Sequence, residues 1–136
     1  MLQKPLFKEF FALLVVIGVL NYLANLYDWF WVYASFDALM HFLAGIWVAL
    51  FFLWFYFYSG FFAPQKRNLW HFFVIAILGL IFVAVMWEAY ELVLGEAQFH
   101  KVGYAWDTIS DLIMGMLGGL TACLYGYFKE LKSYVS

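Results

Sequence analysis

The chain has 136 residues, of which 68% are hydrophobic, 25% are aromatic and only 12% are charged. This composition lies far outside the range of soluble domains and predicts a single integral membrane domain over residues 1–136. The formal net charge of −2, without a long run of Lys or Arg, argues against nucleic acid as a partner. The predicted partner is the lipid bilayer.

Four apolar stretches are long enough to cross the hydrocarbon core as helices, which requires about 20 residues. They are predicted at residues 10–27, 36–58, 70–94 and 107–128. A segment in lipid must satisfy its own backbone hydrogen bonds, and these segments are too long for barrel strands. We therefore predict an all-α, polytopic bundle of four transmembrane helices. The first span resembles a signal peptide, but no convincing cleavage site follows it, so we expect it to remain uncleaved.

The positive residues are distributed unequally between the two sides of this bundle. One side carries six of them and the other carries only one: Lys4, Lys8, Lys66, Arg67, Lys129 and Lys132, against Lys101. Since Lys and Arg are retained in cytoplasmic loops, this asymmetry predicts that both termini lie in the cytoplasm. The predicted location is the cell (inner) membrane, with multiple passes.

Polar residues recur in pairs near the predicted outer ends of the spans. The pairs are Asn21 and Asn25, Asp37 and His41, Glu88 and Glu91, and Asp107 and Asp111. A spacing of three or four residues places both members of a pair on one helix face. An ionised side chain inside the bilayer costs at least ~2.5 kcal/mol, so we expect Asp37, His41, Glu88 and Asp111 to converge around one cavity that opens to the outer side.

The acids and the histidine predict a divalent metal site, because Lys101 alone cannot balance five carboxylates on the outer side. The candidate ligands are Asp37, His41, Glu91, Asp107 and Asp111, and Glu88 is the candidate catalytic base. These residue types suit Mg, Mn, Fe or Zn and do not choose among them. Two alternatives remain open, namely that several acids are protonated or that water enters from outside. Asp107 is also suited to capping its helix, and Asp37 to a favourable interaction with its helix dipole.

Small residues at four-residue spacing predict close helix packing, since lipid gives no hydrophobic drive for helices to associate. They are Gly45 with Ala49, Gly115 with Gly119, and Gly118 with Ala122 and Gly126. Because most of them lie in the fourth span, we expect that span to be the most enclosed. The single cysteine, Cys123, lies in the same apolar stretch and is interpreted as a packing residue.

Three motifs in the last three spans resemble a known family. They are Phe36-Asp37-x-x-x-His41-Phe42-x-x-Gly45, Glu88-x-x-Glu91, and Trp106-Asp107-x-x-x-Asp111 followed by Gly118. In this order they resemble the YjdF-like family of bacterial inner-membrane proteins of unknown function. The second and fourth spans are also similar to VanZ-like proteins, which are associated with glycopeptide resistance. The chain has fewer leading spans than the first family. The resemblance implies that the acids and the histidine belong to one site.

Three functions are compatible with these residues, and the sequence leaves open whether the protein is an enzyme. The first is a metal-dependent hydrolase or transferase that acts on a lipid-linked substrate. The second is a transport or sensing module that handles protons or cations. The third is a non-catalytic, VanZ-like membrane protein whose acids are structural. The inner halves of the spans offer few polar residues beyond Thr121 and tyrosines, which argues against a continuous channel in a monomer.

The charge asymmetry generates a topology prediction. Reporter fusions at Ser136 and within residues 59–69 are expected to report a cytoplasmic location, and a tag near Glu96 is expected to be accessible from outside. An external C-terminus would contradict the predicted orientation of the site.

Overall fold

The computed structural model describes residues 6–33, 35–62, 64, 67–94 and 104–135, without the side chains of residues 88, 91, 92, 94, 104, 105 and 133–135. The described chain forms four long helices and one short helix. They are α1 (Phe7–Leu26), α2 (Trp29–Val32), α3 (Phe36–Tyr58), α4 (Leu69–Leu94) and α5 (Tyr104–Val135). Each long helix contains a segment apolar and long enough to span a membrane. The predicted all-α fold with four candidate spans is confirmed.

The helix ends follow from local sequence signals. Helix α3 has the predicted bounds, and Gly60, with a φ of 96°, follows it in a conformation that glycine adopts without steric cost. Helix α4 begins after Asn68, whose side-chain oxygen accepts a hydrogen bond from the backbone N–H of His71 (3.0 Å). Helix α5 begins at Tyr104, so Asp107 lies in its first turn and not at the capping position.

Two ion pairs show how the helices run relative to one another. Lys129 at the end of α5 pairs with Glu9 at the start of α1. Arg67, which precedes α4, pairs with Glu130 of α5 at 3.0 Å, and Tyr58 at the end of α3 donates a hydrogen bond to the same carboxylate. Helices α3 and α5 are therefore parallel, and α1 and α4 run in the opposite direction. We call the end that holds these pairs the basic end.

Helix α3 is the centre of the structure. It packs against α1, α4 and α5, whereas α5 packs against α3 and α4. A larger share of the apolar segment is buried in α3 (33%) than in α5 (28%). The prediction that the fourth span is the most enclosed is therefore wrong. The small residues of α5 bring it close to its neighbours along one side, but α3 has neighbours on three sides.

The buried core occupies the half of the bundle toward the basic end. Its members are contributed by all four long helices and by the residue before α1: Leu6, Phe10, Ala49, Leu50, Leu53, Trp54, Phe57, Phe72, Ala76, Ala122 and Cys123. Phe57 of α3 stacks on Phe72 of α4 with ring centroids 4.4 Å apart. Cys123 is 1% exposed, in agreement with a packing role. Many large apolar side chains on the outside remain exposed, as expected for helices that contact lipid.

Helices α3 and α5 approach until their backbones touch. A Cβ atom added to Gly45 would overlap the carbonyl group of Gly115, and one added to Gly118 would overlap the carbonyl oxygen of Phe42. Gly126, further along α5, lies beside Leu53 of α3. The small-residue pattern thus predicted a real close contact, and its most constrained positions are Gly45 and Gly118.

This contact predicts that Gly118→Ala destabilises the protein. The added methyl group must displace the α3 backbone, and overpacking of this kind costs about 1–3 kcal/mol. The matched control is Gly18→Ala in α1, because nothing lies within 4 Å of a Cβ atom at that position. Thermal unfolding in detergent should show a lower midpoint for Gly118→Ala alone. Equal midpoints for the two variants would contradict the backbone contact.

Candidate metal centre

The contact between α3 and α5 positions a polar cluster at the end of the bundle opposite to the basic end, which we call the acidic end. His41 lies one helical turn before Gly45 on α3, and Asp111 lies one turn before Gly115 on α5. Because the two helices are parallel, the next turn toward the acidic end brings these two side chains together. Asp37 lies one further turn along α3, on the same face as His41.

The distances within this cluster suit ligands of a common ion. The Nε2 atom of His41 lies 3.4 Å from Oδ2 of Asp111 and 3.7 Å from Oδ1 of Asp37. One ligand atom from each of the three residues falls within 4.8 Å of the others. Hydrogen bonds of this type are about 2.7–3.2 Å long. Two ligands that are each about 2.1 Å from a metal ion lie at most about 4.2 Å apart, and both distances from His41 fall below this limit.

The cluster is partly open. The side chains of His41 and Asp37 are 41% and 43% exposed, and that of Asp111 is 21% exposed. Three protein ligands leave coordination positions free for water or another molecule, as in catalytic rather than structural zinc sites. The chemistry available to such a site is Lewis-acid catalysis or the activation of a bound water molecule.

The charge around the cluster also favours a cation. Two carboxylates lie beside one imidazole, and the Lys and Arg side chains of the described chain are all near the other end: Lys8, Arg67, Lys129 and Lys132. Lys101, the positive residue expected on this side, lies outside the described residues.

The remaining predicted site residues have different outcomes. Asp107 is exposed, lies one turn beyond Asp111, and is not part of the three-residue group. The side chains of Glu88 and Glu91 lie outside the described residues, so their roles as base and ligand stay predictions. The backbone contacts of α4 give the position of residue 88 along the bundle axis. Leu80 of α4 contacts Gly119 of α5, and residues 88 and 111 both lie about 12 Å of helix rise from that contact toward the acidic end.

The asparagine pair of the first span does not contribute to the three-residue group. Asn21 and Asn25 are both exposed, and the side-chain amide of Asn25 donates a hydrogen bond to the backbone carbonyl of Asn21 (2.7 Å). This bond gives the side chain of Asn25 a polar partner within its own helix.

Glu130 is a buried polar residue that the sequence pattern does not single out. Its side chain is only 5% exposed and is bound by Arg67 and Tyr58. In the sequence it stands among Lys129 and Lys132, in a stretch that is typical of solvated residues beyond the end of a span. The sequence did contain one signal, because Glu130 is a carboxylate at the end of the bundle where most Lys and Arg residues lie and could therefore pair with one of them.

The comparisons with known proteins agree with a membrane protein. The model of a family described as "Predicted membrane protein (DUF2238)" matches residues 5–132. No curated protein and no solved structure matches the chain.

Proposed function

We propose that this chain, which belongs to the DUF2238 family of membrane proteins, binds one divalent metal ion through Asp37, His41 and Asp111. The observation that carries the proposal is the position of His41, whose Nε2 atom lies 3.4 and 3.7 Å from two carboxylates. These separations are longer than hydrogen bonds and suit three ligands around one ion. The partial exposure of the cluster leaves a path for the ion to enter.

The three ligands are compatible with each of the four candidate metals. Carboxylates favour Mg and Mn, whereas an imidazole nitrogen suits Zn and Fe, so the mixed set accommodates all four. Asp107 and Glu91 are additional candidate ligands, and either would raise the oxygen content of the site. A larger share of oxygen ligands favours Mn or Mg over Zn.

We further propose that the site supports a metal-dependent hydrolase or transferase reaction on a lipid-linked substrate. A bound ion would supply Lewis acidity and lower the pKa of a bound water molecule. Asp37, His41 and Asp111 would hold the ion, and Glu88, whose backbone lies at the depth of Asp111 along the bundle, is the proposed base that would accept a proton from water. The site lies at one end of four apolar helices, where the polar headgroup of an amphiphile meets water.

A proton- or cation-handling module is the alternative function, because His41 lies between two carboxylates that can exchange protons with it. A transport function would require a polar path toward the basic end. Thr121 is a candidate for such a path, but its hydroxyl donates a hydrogen bond to the carbonyl of Leu117 (2.9 Å) in its own helix. This arrangement favours the metal site over a through-path.

The resemblance to YjdF-like and VanZ-like proteins is also kept as a proposal. Its Asp37-x-x-x-His41 motif and Asp111 are the residues whose side chains meet in the cluster. Their convergence supports the view that the resemblance reflects a shared site, and the inner membrane with cytoplasmic termini is the location that the resemblance and the charge asymmetry favour together.

The metal proposal is tested by Asp111→Asn. This substitution keeps the size of the side chain and removes an anionic ligand, so we expect the affinity for the ion to fall at least about tenfold. Asp28→Asn is the matched control, since Asp28 is an exposed carboxylate in the turn between α1 and α2. Metal content by elemental analysis and titration calorimetry with Mn, Mg, Fe and Zn check the result. Asp107→Asn in the same assay decides whether Asp107 is a further ligand.

The pH dependence provides a second prediction from the same site. Metal ligands must be deprotonated, so affinity should decrease as the pH falls through the range where His and carboxylates take up protons. A chelator should lower the unfolding midpoint of the wild-type protein and have little effect on Asp111→Asn. A wild-type protein that holds no stoichiometric metal, and whose midpoint ignores both chelator and added ions, would contradict the proposal.

A further inference from the structure

A second polar cluster lies at the basic end, where α3 and α5 meet again. The carboxylate of Glu130 accepts hydrogen bonds from Tyr58 and from Nη1 of Arg67, the latter at 3.0 Å. Nη2 of Arg67 donates to the carbonyl of Phe57 (2.9 Å), and its guanidinium group lies 5.1 Å from the ring centre of Tyr58. We call Tyr58, Arg67 and Glu130 the register clamp. It joins the last turn of α3, the chain before α4 and the last part of α5.

Helices α3 and α5 keep the same axial register between the two clusters. Tyr58 and Glu130 differ by 72 in residue number, and the other contacts between the helices have differences of 70 to 76. These contacts pair His41 with Asp111, Gly45 with Gly115, Phe42 with Gly118, and Leu53 with Gly126. The two parallel helices therefore share one axial register from the acidic end to the basic end.

Apolar side chains alone specify this register weakly. In lipid there is no hydrophobic drive for association, so packing and polar contacts decide how two helices align. A slip of α5 by one turn moves it about 5.4 Å along α3 and separates His41 from Asp111. The clamp opposes that slip, because the slip would break the hydrogen bonds of the buried Glu130 to Tyr58 and Arg67. A buried carboxylate that loses its partners is strongly destabilising.

We propose that the register clamp positions the candidate metal centre at the opposite end of the bundle by holding α5 in axial register with α3. This inference rests on the proposed metal-binding function. Tyr58, Arg67 and Glu130 are positioning residues, since Glu130 lies about 28 Å of helix rise from Asp111 and cannot touch the ion. Glu130 and Asp111 both belong to one continuous helix, α5, so an axial displacement at one end is coupled to the other.

The same end of the bundle supplies a matched control. Lys129 pairs with Glu9, and this contact joins α5 to α1, not to α3. It is also an ion pair at the basic end, with a carboxylate that is more exposed (29% for Glu9 against 5% for Glu130). Replacing Glu9 therefore removes an ion pair at this end while leaving the contact between α3 and α5 in place.

The first arm of the test measures Mn²⁺ binding by the full chain in nanodiscs. Glu130→Gln should weaken binding about tenfold, as expected when a supporting interaction of a metal site is lost. Tyr58→Phe removes the hydrogen bond to Glu130, keeps the ring, and should have a smaller effect in the same direction. It also serves if Glu130→Gln does not fold. Glu9→Gln should bind Mn²⁺ as the wild-type protein does, and an equal loss of affinity in Glu9→Gln and Glu130→Gln would overturn the inference.

The second arm measures the register without metal. Spin labels at Leu39→Cys and Leu112→Cys, two exposed positions at the acidic end, report the distance between α3 and α5 in a Cys123→Ala background. The distance distribution should shift or broaden in Glu130→Gln and remain unchanged in Glu9→Gln. If the wild-type protein binds no Mn²⁺, the proposed function fails, and the label distance alone decides whether the clamp sets the register. An unchanged distance in Glu130→Gln and in Tyr58→Phe would overturn the inference.

Discussion

The contact between the backbones of α3 and α5 is the constraint on which the rest of the structure depends. Side chains at Gly45 or Gly118 would push these helices apart, because carbonyl groups of the neighbouring helix occupy the space that a Cβ atom needs. Since the contact lies one turn from His41 and Asp111, it also determines the separation of the candidate ligands. In a bilayer, where apolar side chains gain nothing from leaving lipid, such close packing is a principal source of helix association.

The two ends of the bundle are built differently. The basic end contains the buried core and pairs Glu130 with Arg67 and Tyr58, so this carboxylate is enclosed and paired. The acidic end holds partly exposed carboxylates beside an imidazole, at distances too long for good hydrogen bonds. A firmly packed support beneath an open polar cluster is the arrangement that a precise binding site requires. The difference between the two ends is therefore consistent with the metal-binding function that we propose for the acidic end.

The candidate site could be predicted in part because helical spacing and membrane energetics act locally. The spacing of Asp37 and His41 places both on one face of α3, and the cost of an intramembrane acid indicated that Asp111 needs a partner. The structure brings these three residues together. Asn21 and Asn25 form a polar pair at a similar depth, but both are exposed and the side chain of Asn25 bonds within its own helix. Depth along the membrane does not determine the direction in which a helix face turns.

The sequence by itself determined the number of spans, the bounds of α3 and the end of the bundle at which each polar pair lies. These properties depend on the length and hydropathy of each segment, which a single helix carries alone. Only the tertiary structure decided that α3 is central, that α3 and α5 touch through glycines, and that Glu130 is buried. Long helices that are apolar on most faces can each present several sides to a neighbour. Which side faces which neighbour depends on how all four helices pack together. The sequence of a single segment does not specify that packing.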